Sequence, residues 1–291
     1  MNITCAYLGP EGTYSQLALQ VYLGRLGVEE TPAILALPTI AGVVEWAAAN
    51  PANLALVPLE NSLEGAVTQT LDLLANPDCP LKIRGELILS VSHHLLVRPG
   101  TRLEQIKQVL SHPQALGQCR EYLNKMLPGA ALLPTASTAE AATIVGNSET
   151  HHLAAIGNLR AAEANGLIAL QSNIQDGENN CTRFIVLGHE NHPQTGQDKT
   201  SIVFTTPDRP GALYHVLGVL TEADINLSKI ESRPTKRRLG EYLFHLDLEG
   251  HVQDRKLTSA LRELANHTSW MKILGSYPID HEGEEVTGHE S

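Results

Sequence analysis

Short apolar runs alternate with helix-spaced segments from Ile3 to Leu170, and this alternation limits the fold of the chain more than any single motif. Ile3–Leu8 reads as a strand ending at Gly9-Pro10, and Thr13–Leu26 places apolar residues at helical spacing up to Gly27. Ala33–Leu37 is a short strand, and Thr39 stands where an N-cap belongs for a helix running to Ala49. Leu54–Val57 is a strand, Gly65–Leu74 a helix, and Leu81–Val97 extended in two pieces. Val109–Leu110 leads into a helix over Gln114–Met126, and Ala131–Leu133 is a strand. Ser137 and Glu140 have capping-box spacing. His152–Ile156, Asn158–Glu163 and Leu167–Leu170 then read as strand, helix and strand. Such alternation builds parallel sheets covered by helices, an α/β class.

Residues 188–199 interrupt the pattern with Gly, Pro, Asn, Gln and His and read as a linker. A second pattern comes after it: strand (Thr200–Thr206), helix (Gly211–Ala223), strand (Ile225–Arg233), strand (Glu241–Leu248), helix (Asp254–Ala265) and strand (Trp270–Tyr277). That is βαββαβ, a ferredoxin-like order. The chain of 291 residues therefore divides into a domain over 1–187, a linker over 188–199, a domain over 200–278, and a tail over 279–291.

Charge narrows the partners. The net charge of -11 argues against nucleic acid, because phosphate binding needs a basic surface. Residues 1–199 hold 11 Lys and Arg against 18 Asp and Glu, and residues 200–278 hold 10 against 9. The tail has five acids and no Lys or Arg, the composition of a disordered segment. Cys5, Cys79, Cys119 and Cys181 are far apart and lack metal-ligand spacing, so no metal is expected. No signal peptide is evident, and Leu87–Val97 is too short to span a membrane. A cytosolic location is the resulting expectation.

The segment Asn180-Cys-Thr-Arg-Phe184 sets a hydroxyl beside a permanent forked cation. Arg183 can take a carboxylate in two parallel hydrogen bonds, and Thr182 is a small donor able to pass on a proton. Neighbours on a strand point to opposite faces, so a strand edge or bend is needed to bring both to one cleft. Gly9, Glu11, Gly12, Thr13 and Ser15 form a loop-to-helix turn whose N–H groups suit a carboxylate. Ser111-His112 is not a nucleophile–base pair, since adjacent residues seldom reach that geometry. His93-His94 and His151-His152 lack metal spacing and read as surface or core histidines.

Six motifs in order carry a resemblance: Tyr7-Leu-Gly-Pro-Glu-Gly-Thr-Tyr-Ser15, Val57-Pro-Leu-Glu-Asn-Ser-Leu-Glu-Gly65, Ser111-His-Pro-Gln114 with Gln118, the Asn180–Phe184 segment, Gly211-Ala-Leu213, and Glu231-Ser-Arg-Pro234. Together they resemble prephenate dehydratase with a C-terminal ACT regulatory domain. The resemblance implies a two-lobed catalytic region like the periplasmic type II binding proteins, followed by a ferredoxin-like ACT domain. It implies decarboxylating dehydration of prephenate to phenylpyruvate in phenylalanine biosynthesis, with no cofactor. The implied catalytic residues are Thr182, Arg183, Glu60 and Asn61. Thr182 acts as proton donor or as hydrogen-bond donor to the leaving hydroxyl, and Arg183 holds a substrate carboxylate. Ser111, Gln118, Thr13, Ser15, Asn180 and Phe184 are expected to bind substrate. L-Phenylalanine is the implied effector, bound by Gly211, Ala212, Leu213, Asn226, Leu227, Glu231, Ser232, Arg233 and Pro234. A homodimer or homotetramer is expected. The alternatives are arogenate dehydratase and a non-catalytic amino-acid sensor.

Overall fold

A computed structural model describes residues 4–27, 32–177, 180–236, 238 and 240–280. The first lobe begins with β1 (Thr4–Leu8), α1 (Tyr14–Arg25), β2 (Ala33–Leu37), α2 (Ile40–Ala48), β3 (Asn53–Asn61), β4 (Gly65–Ala66), α3 (Thr68–Ala75) and β5 (Lys82–Ser90). The second lobe holds β6 (His94–Val97), β7 (Gln108–Ser111), α4 (Pro113–Gln118), α5 (Arg120–Met126), β8 (Ala131–Pro134), α6 (Thr138–Gly146), β9 (Leu153–Gly157), α7 (Leu159–Ala164) and β10 (Ile168–Gln171). The chain returns to the first lobe as β11 (Cys181–Gly188). The C-terminal region, the expected ACT unit, is β12 (Asp198–Thr205), α8 (Ala212–Glu222), β13 (Leu227–Pro234), β14 (Tyr242–Glu249), α9 (Arg255–His267) and β15 (Trp270–Pro278).

The sheet orders are β2-β1-β3-β11-β5, β10-β6-β9-β7-β8 and β13-β14-β12-β15. In the first sheet β11 runs antiparallel between β3 and β5, so the returning strand lies inside the sheet and not at its edge. The two crossings between lobes lie side by side, and Val91 N–H donates to Asn180 O at 2.7 Å. This is a two-lobed, type II binding-protein-like α/β region, followed by a ferredoxin-like βαββαβ unit.

Local chemistry sets the helix starts. The Thr39 hydroxyl accepts from Gly42 N–H at 3.0 Å, and the Ser137 hydroxyl accepts from Glu140 N–H at 3.0 Å. Each satisfies one of the N–H groups that a helix start leaves free. The single helix expected over Gln114–Met126 is broken at Cys119, which separates α4 from α5.

A ladder irregularity in β3 decides which residues reach the cleft. Thr182 pairs with Asn61 and Arg183 with Glu60, but Phe184 pairs with Pro58. Leu59 is the extra residue of a bulge, which re-aims the side chains on either side of it. Asn61 therefore shares a face with Thr182, and Glu60 shares the opposite face with Arg183.

The ACT sheet packs on that opposite face. Val203, Leu274 and Tyr277 belong to the same apolar core as Val57, Ile83 and Ile185. The other face of the ACT sheet, with Ile202 and Phe204, packs on α8 and α9 through Val216, Leu220, Leu261 and Leu264. Lys272 Nζ crosses the seam to donate to the carbonyls of Leu74, Asn76 and Cys79 at 2.7–3.0 Å. The chain within residues 188–199, read as a linker, is tied down: His192 N–H donates to Ser276 O at 3.1 Å, and His192 O lies 2.9 Å from His251 Nε2. Ile279 and Asp280, assigned to the tail from sequence, are also anchored. Ile279 N–H donates to Gln197 O at 2.9 Å, and Asp280 pairs with Arg25 at 2.7 Å. Residues 281–291 of the expected tail lie outside the described residues.

Candidate active site

A cleft of about 820 Å³ opens between the lobes, below the crossings. The starts of α1 and α6 face it, bringing Thr13, Ser15, Ser137 and Thr138 to its walls. Asn61, Asn180, Thr182, Gln118 and His93 line it from the first lobe, the crossings and α4.

These last five form a hydrogen-bonded chain. Asn61 Nδ2 donates to Thr182 Oγ1 at 2.9 Å and to Asn180 Oδ1 at 2.8 Å. Asn180 Nδ2 donates to Gln118 Oε1 at 3.0 Å, and His93 Nε2 lies 2.8 Å from the same oxygen. His93 is 3% exposed, and burial lowers its pKa despite the Gln118 hydrogen bond.

Arg183 is not in the cleft. Alternation along β11 turns it to the seam, where it is 9% exposed. Its Nε donates to Glu86 Oε2 at 2.7 Å, Nη1 to Asp247 Oδ2 at 2.6 Å, and Nη2 to Tyr277 Oη at 2.9 Å. The bend that would bring it beside Thr182 is absent, because the bulge lies in β3 and comes one pairing later. Glu60 is likewise turned away and pairs with Lys229 of β13. Phe184 packs in the core with Cys5, Tyr7 and Leu19. Ser111 is fully buried and donates to Ile156 O at 2.7 Å, behind the cleft wall. Thr13, Ser15, Asn61, Gln118, Asn180 and Thr182 do line the cleft.

Among the described residues that line the cleft there is no Lys or Arg. Its capacity for anions therefore lies in hydroxyls, amides and the N–H groups at the starts of α1 and α6. His93 was missed by sequence reasoning because His-His before an apolar run looks like packing. Its position at a lobe crossing was the informative signal.

A second cavity, of about 1140 Å³, lies between the first lobe and the ACT unit. Gly211, Ala212, Leu213 and Pro234 line it, together with Asp72 and Asn76 of the first lobe. Gly211 has φ 78°, a left-handed conformation that suits glycine. Arg233 pairs with Asp72 at 3.2 Å beside this cavity. Glu231 and Ser232 lie further along β13, facing His245 and Phe244 of β14. Asn226 and Leu227 are not brought to this cavity. Asn226 donates to Glu249 at 2.6 Å, and Leu227 packs against the ACT core.

Fold and cleft define a two-lobed α/β protein with a cleft of small-molecule size between the lobes and a ferredoxin-like unit docked on one of them. A protein-family model described as prephenate dehydratase matches residues 5–192, and one described as ACT domain matches residues 200–266. A prephenate dehydratase of Methanocaldococcus jannaschii is 42% identical over 284 residues, covering 96% of this chain and 99% of that one. The crystal structure of prephenate dehydratase from Arthrobacter aurescens in complex with L-Phe has 36% identity and a TM-score of 0.85, covering 95% of this chain and 90% of that one. GqqA, described as a novel type of quorum-quenching acylase, has 32% identity and a TM-score of 0.82, covering 95% and 98%. The chain belongs to the prephenate dehydratase family, and carries the ACT domain at its C-terminal end. Its activity is that of a prephenate dehydratase, a lyase. Among the described residues no helix is long and apolar enough to cross a membrane.

Proposed function

We propose that prephenate lies in the interlobe cleft with its ring hydroxyl against Thr182, and that phenylalanine bound at the ACT domain inhibits the reaction. Prephenate is a dianion. Its C–O bond to the ring hydroxyl breaks as that oxygen takes a proton and leaves as water. The bond to the ring carboxylate breaks as carbon dioxide leaves, and its electron pair completes the aromatic ring. The protein must hold two carboxylates and supply a donor to the leaving oxygen.

One observation carries this placement. The Thr182 oxygen already accepts from Asn61 Nδ2, so its own O–H is left to donate into the cleft. A threonine hydroxyl is a weak acid, so it serves as a hydrogen-bond donor or as the last member of a relay. The substrate carboxylates fall to the helix starts at Thr13–Ser15 and Ser137–Thr138, in place of Arg183. The likeness to GqqA raises an acylase reading, since one fold can host several chemistries. The Asn61 amide N–H beside Thr182 cannot take a proton, which argues against an activated nucleophile there.

The effector reading rests on the second cavity, whose walls come from both the ACT unit and the first lobe. A ligand there touches both bodies, as control of one by the other requires. Phenylalanine as effector fits an enzyme of phenylalanine biosynthesis. The exposed edge strand β13, with Ile230 at 47% exposure, supports a homo-oligomer. Four unpaired thiols support a cytosolic location.

The test is direct. Purified protein is given prephenate or arogenate while the aromatic product is followed, with and without phenylalanine. Preferred turnover of prephenate supports the reading. Preferred turnover of arogenate makes the chain an arogenate dehydratase, and turnover of neither leaves the sensor.

A further inference from the structure

The hydrogen-bonded chain in the cleft has a fixed direction. Asn61 Oδ1 accepts from the backbone N–H groups of both Leu63 and Glu64, at 3.0 Å each. Rotating that amide would set its NH₂ against two N–H donors and lose both bonds. Asn61 Nδ2 must therefore be the donor to Asn180 Oδ1. This fixes Asn180 in turn, whose Nδ2 must donate to Gln118 Oε1. With Gln118 Oε1 an acceptor, the nitrogen 2.8 Å away, His93 Nε2, must carry a hydrogen.

At the far end Tyr14 Oη gives its only hydrogen to Ser92 O, so it supplies none to His93 Nδ1, 3.4 Å away. Burial, which lowers the pKa of the ring, favours leaving that nitrogen unprotonated. The His93 backbone is held by the return crossing: its N–H donates to Gln175 Oε1 at 3.0 Å, and its carbonyl accepts from Ile174 N–H at 2.9 Å. The ring thus sits on a braced backbone, buried, with one polar task. On Gln118 both contacts fall on the oxygen. Its amide nitrogen is buried without a hydrogen-bond partner among the described residues, although the residue lines the cleft. An orphaned amide donor in a site for a polyanion is a group that a substrate oxygen can satisfy.

We propose that His93, as the neutral Nε2–H tautomer, is a positioning residue that locks the Gln118 amide with its NH₂ left for an oxygen of the bound substrate. His93 does not touch the substrate. It acts through Gln118, and the run of amides from Asn61 sets its tautomer. The same run presents the Thr182 hydroxyl as a donor, so one directional chain supplies both donors of the site. This inference rests on the cleft being the site of dehydration.

The test combines kinetics with a tautomer measurement on the full-length protein. His93→Leu is expected to lower kcat/KM about 10–100-fold, the effect of losing one hydrogen bond to a buried amide. His93→Gln can return an N–H near the Nε2 position and is expected to recover most of it. His93→Asn reaches only the Nδ1 position and is not. In a Gln118→Ala background, His93→Leu should cost less than about 2-fold more, because the two act as one unit. Imidazole ¹⁵N shifts of the free protein should report the Nε2–H form of His93. Independent, multiplicative losses at His93 and Gln118 would overturn the proposal. So would equal activity of the Gln and Asn variants, or an Nδ1–H tautomer. The tautomer is read without substrate, so a protein that lacks dehydratase activity but shows Nε2–H at His93 refutes the cleft reading separately. If His93→Leu fails to fold, the comparison of His93→Gln with His93→Asn decides.

Discussion

Arg183 and Asp247 form a buried ion pair, Nη1 to Oδ2 at 2.6 Å, across the seam between the catalytic sheet and the ACT sheet. The neighbour of Arg183, Thr182, lies in the cleft on the opposite face of β11. The arrangement repeats on β3, where Asn61 faces the cleft and Glu60 pairs with Lys229 of the ACT unit. Each of two cleft residues is thus one peptide away from a side chain held by the regulatory domain. The bulge at Leu59 puts the two pairs in register.

The ion pair is expected to be costly to break singly and cheap to remove whole. Burial alone would raise the Asp247 carboxyl, but the Arg183 charge and a hydrogen bond from Ser201 hold it below its ordinary range. Asp247→Ala leaves a buried guanidinium without that partner and should destabilise the protein by about 3–5 kcal/mol. The double change Arg183→Met, Asp247→Leu should recover most of the loss, since Glu86 keeps Lys199 at 3.0 Å. Urea unfolding of both variants beside the parent checks this. Recovery of nothing in the double variant would show that the network is more than a paired charge.

Thr182→Ala is expected to lower kcat by about 10²–10⁴ while leaving KM within a few-fold, because the donor acts on the leaving oxygen. Thr182→Ser should keep most of the rate. Steady-state assay of product formation decides, and a Thr182→Ala enzyme of ordinary kcat would remove Thr182 from the chemistry.

The fold was legible because periodicity is local and the pattern strong: the βα alternation and the βαββαβ order are both present as read. The site was legible in part. Thr182 and Asn61 carried a motif, but the side that Arg183 faces depends on whether β11 bends, which neighbouring residues do not reveal. The absent clue was a partner. Glu86 and Asp247 each sit inside an apolar strand, and an acid there requires a buried cation. Placing those acids beside Arg183 takes the docking of two domains, a contact between residues distant in sequence. Ser111 and Phe184 were misplaced for a similar reason, since a motif residue can shape a wall from behind.

Stability should fall with acid. His245 is 3% exposed, and neither ring nitrogen has a hydrogen-bond partner among the described residues. Burial, and then the charge of Arg233, push its pKa down to about 4 from 6.5. Between those values the unfolded chain holds a proton that the folded one does not. Folding stability is therefore full above about pH 6.5 and is lost as pH falls towards about 4, by roughly 3 kcal/mol from this group. Burial of His93 and His94 adds in the same direction. Denaturation midpoints from pH 7 to pH 4 measure the slope, which His245→Leu should flatten.

The seam should tolerate no side chain at Gly275. A Cβ there would lie 2.0 Å from the backbone oxygen of Ile83 and 2.6 Å from its nitrogen. Neither atom can swing away, so β15 must retreat from β5. Gly275→Ala is expected to lower the melting temperature and to speed proteolysis between residues 189 and 197. An unchanged melting temperature would mean that the two strands do not approach so closely in solution.

Coupling between effector and cleft is expected to weaken in Lys229→Ala. Lys229 lies outside both cavities, and its partner Glu60 is partly solvated, so the change removes a link without leaving a buried charge. Turnover without phenylalanine should stay within about 2-fold of the parent, and phenylalanine binding by calorimetry should remain. The inhibition at saturating phenylalanine should fall. A ligand shifts an equilibrium only through its differential affinity for the two states, and typical couplings are about 1–3 kcal/mol. Loss of one of the polar links across the seam should remove a measurable part of that. By reciprocity, substrate should oppose phenylalanine binding in the parent and do so less in the variant. Undiminished inhibition in Lys229→Ala would place the coupling on the other contacts across the seam, such as Arg183–Asp247 and Arg233–Asp72. Loss of phenylalanine binding itself would make Lys229 part of the effector site and not a link.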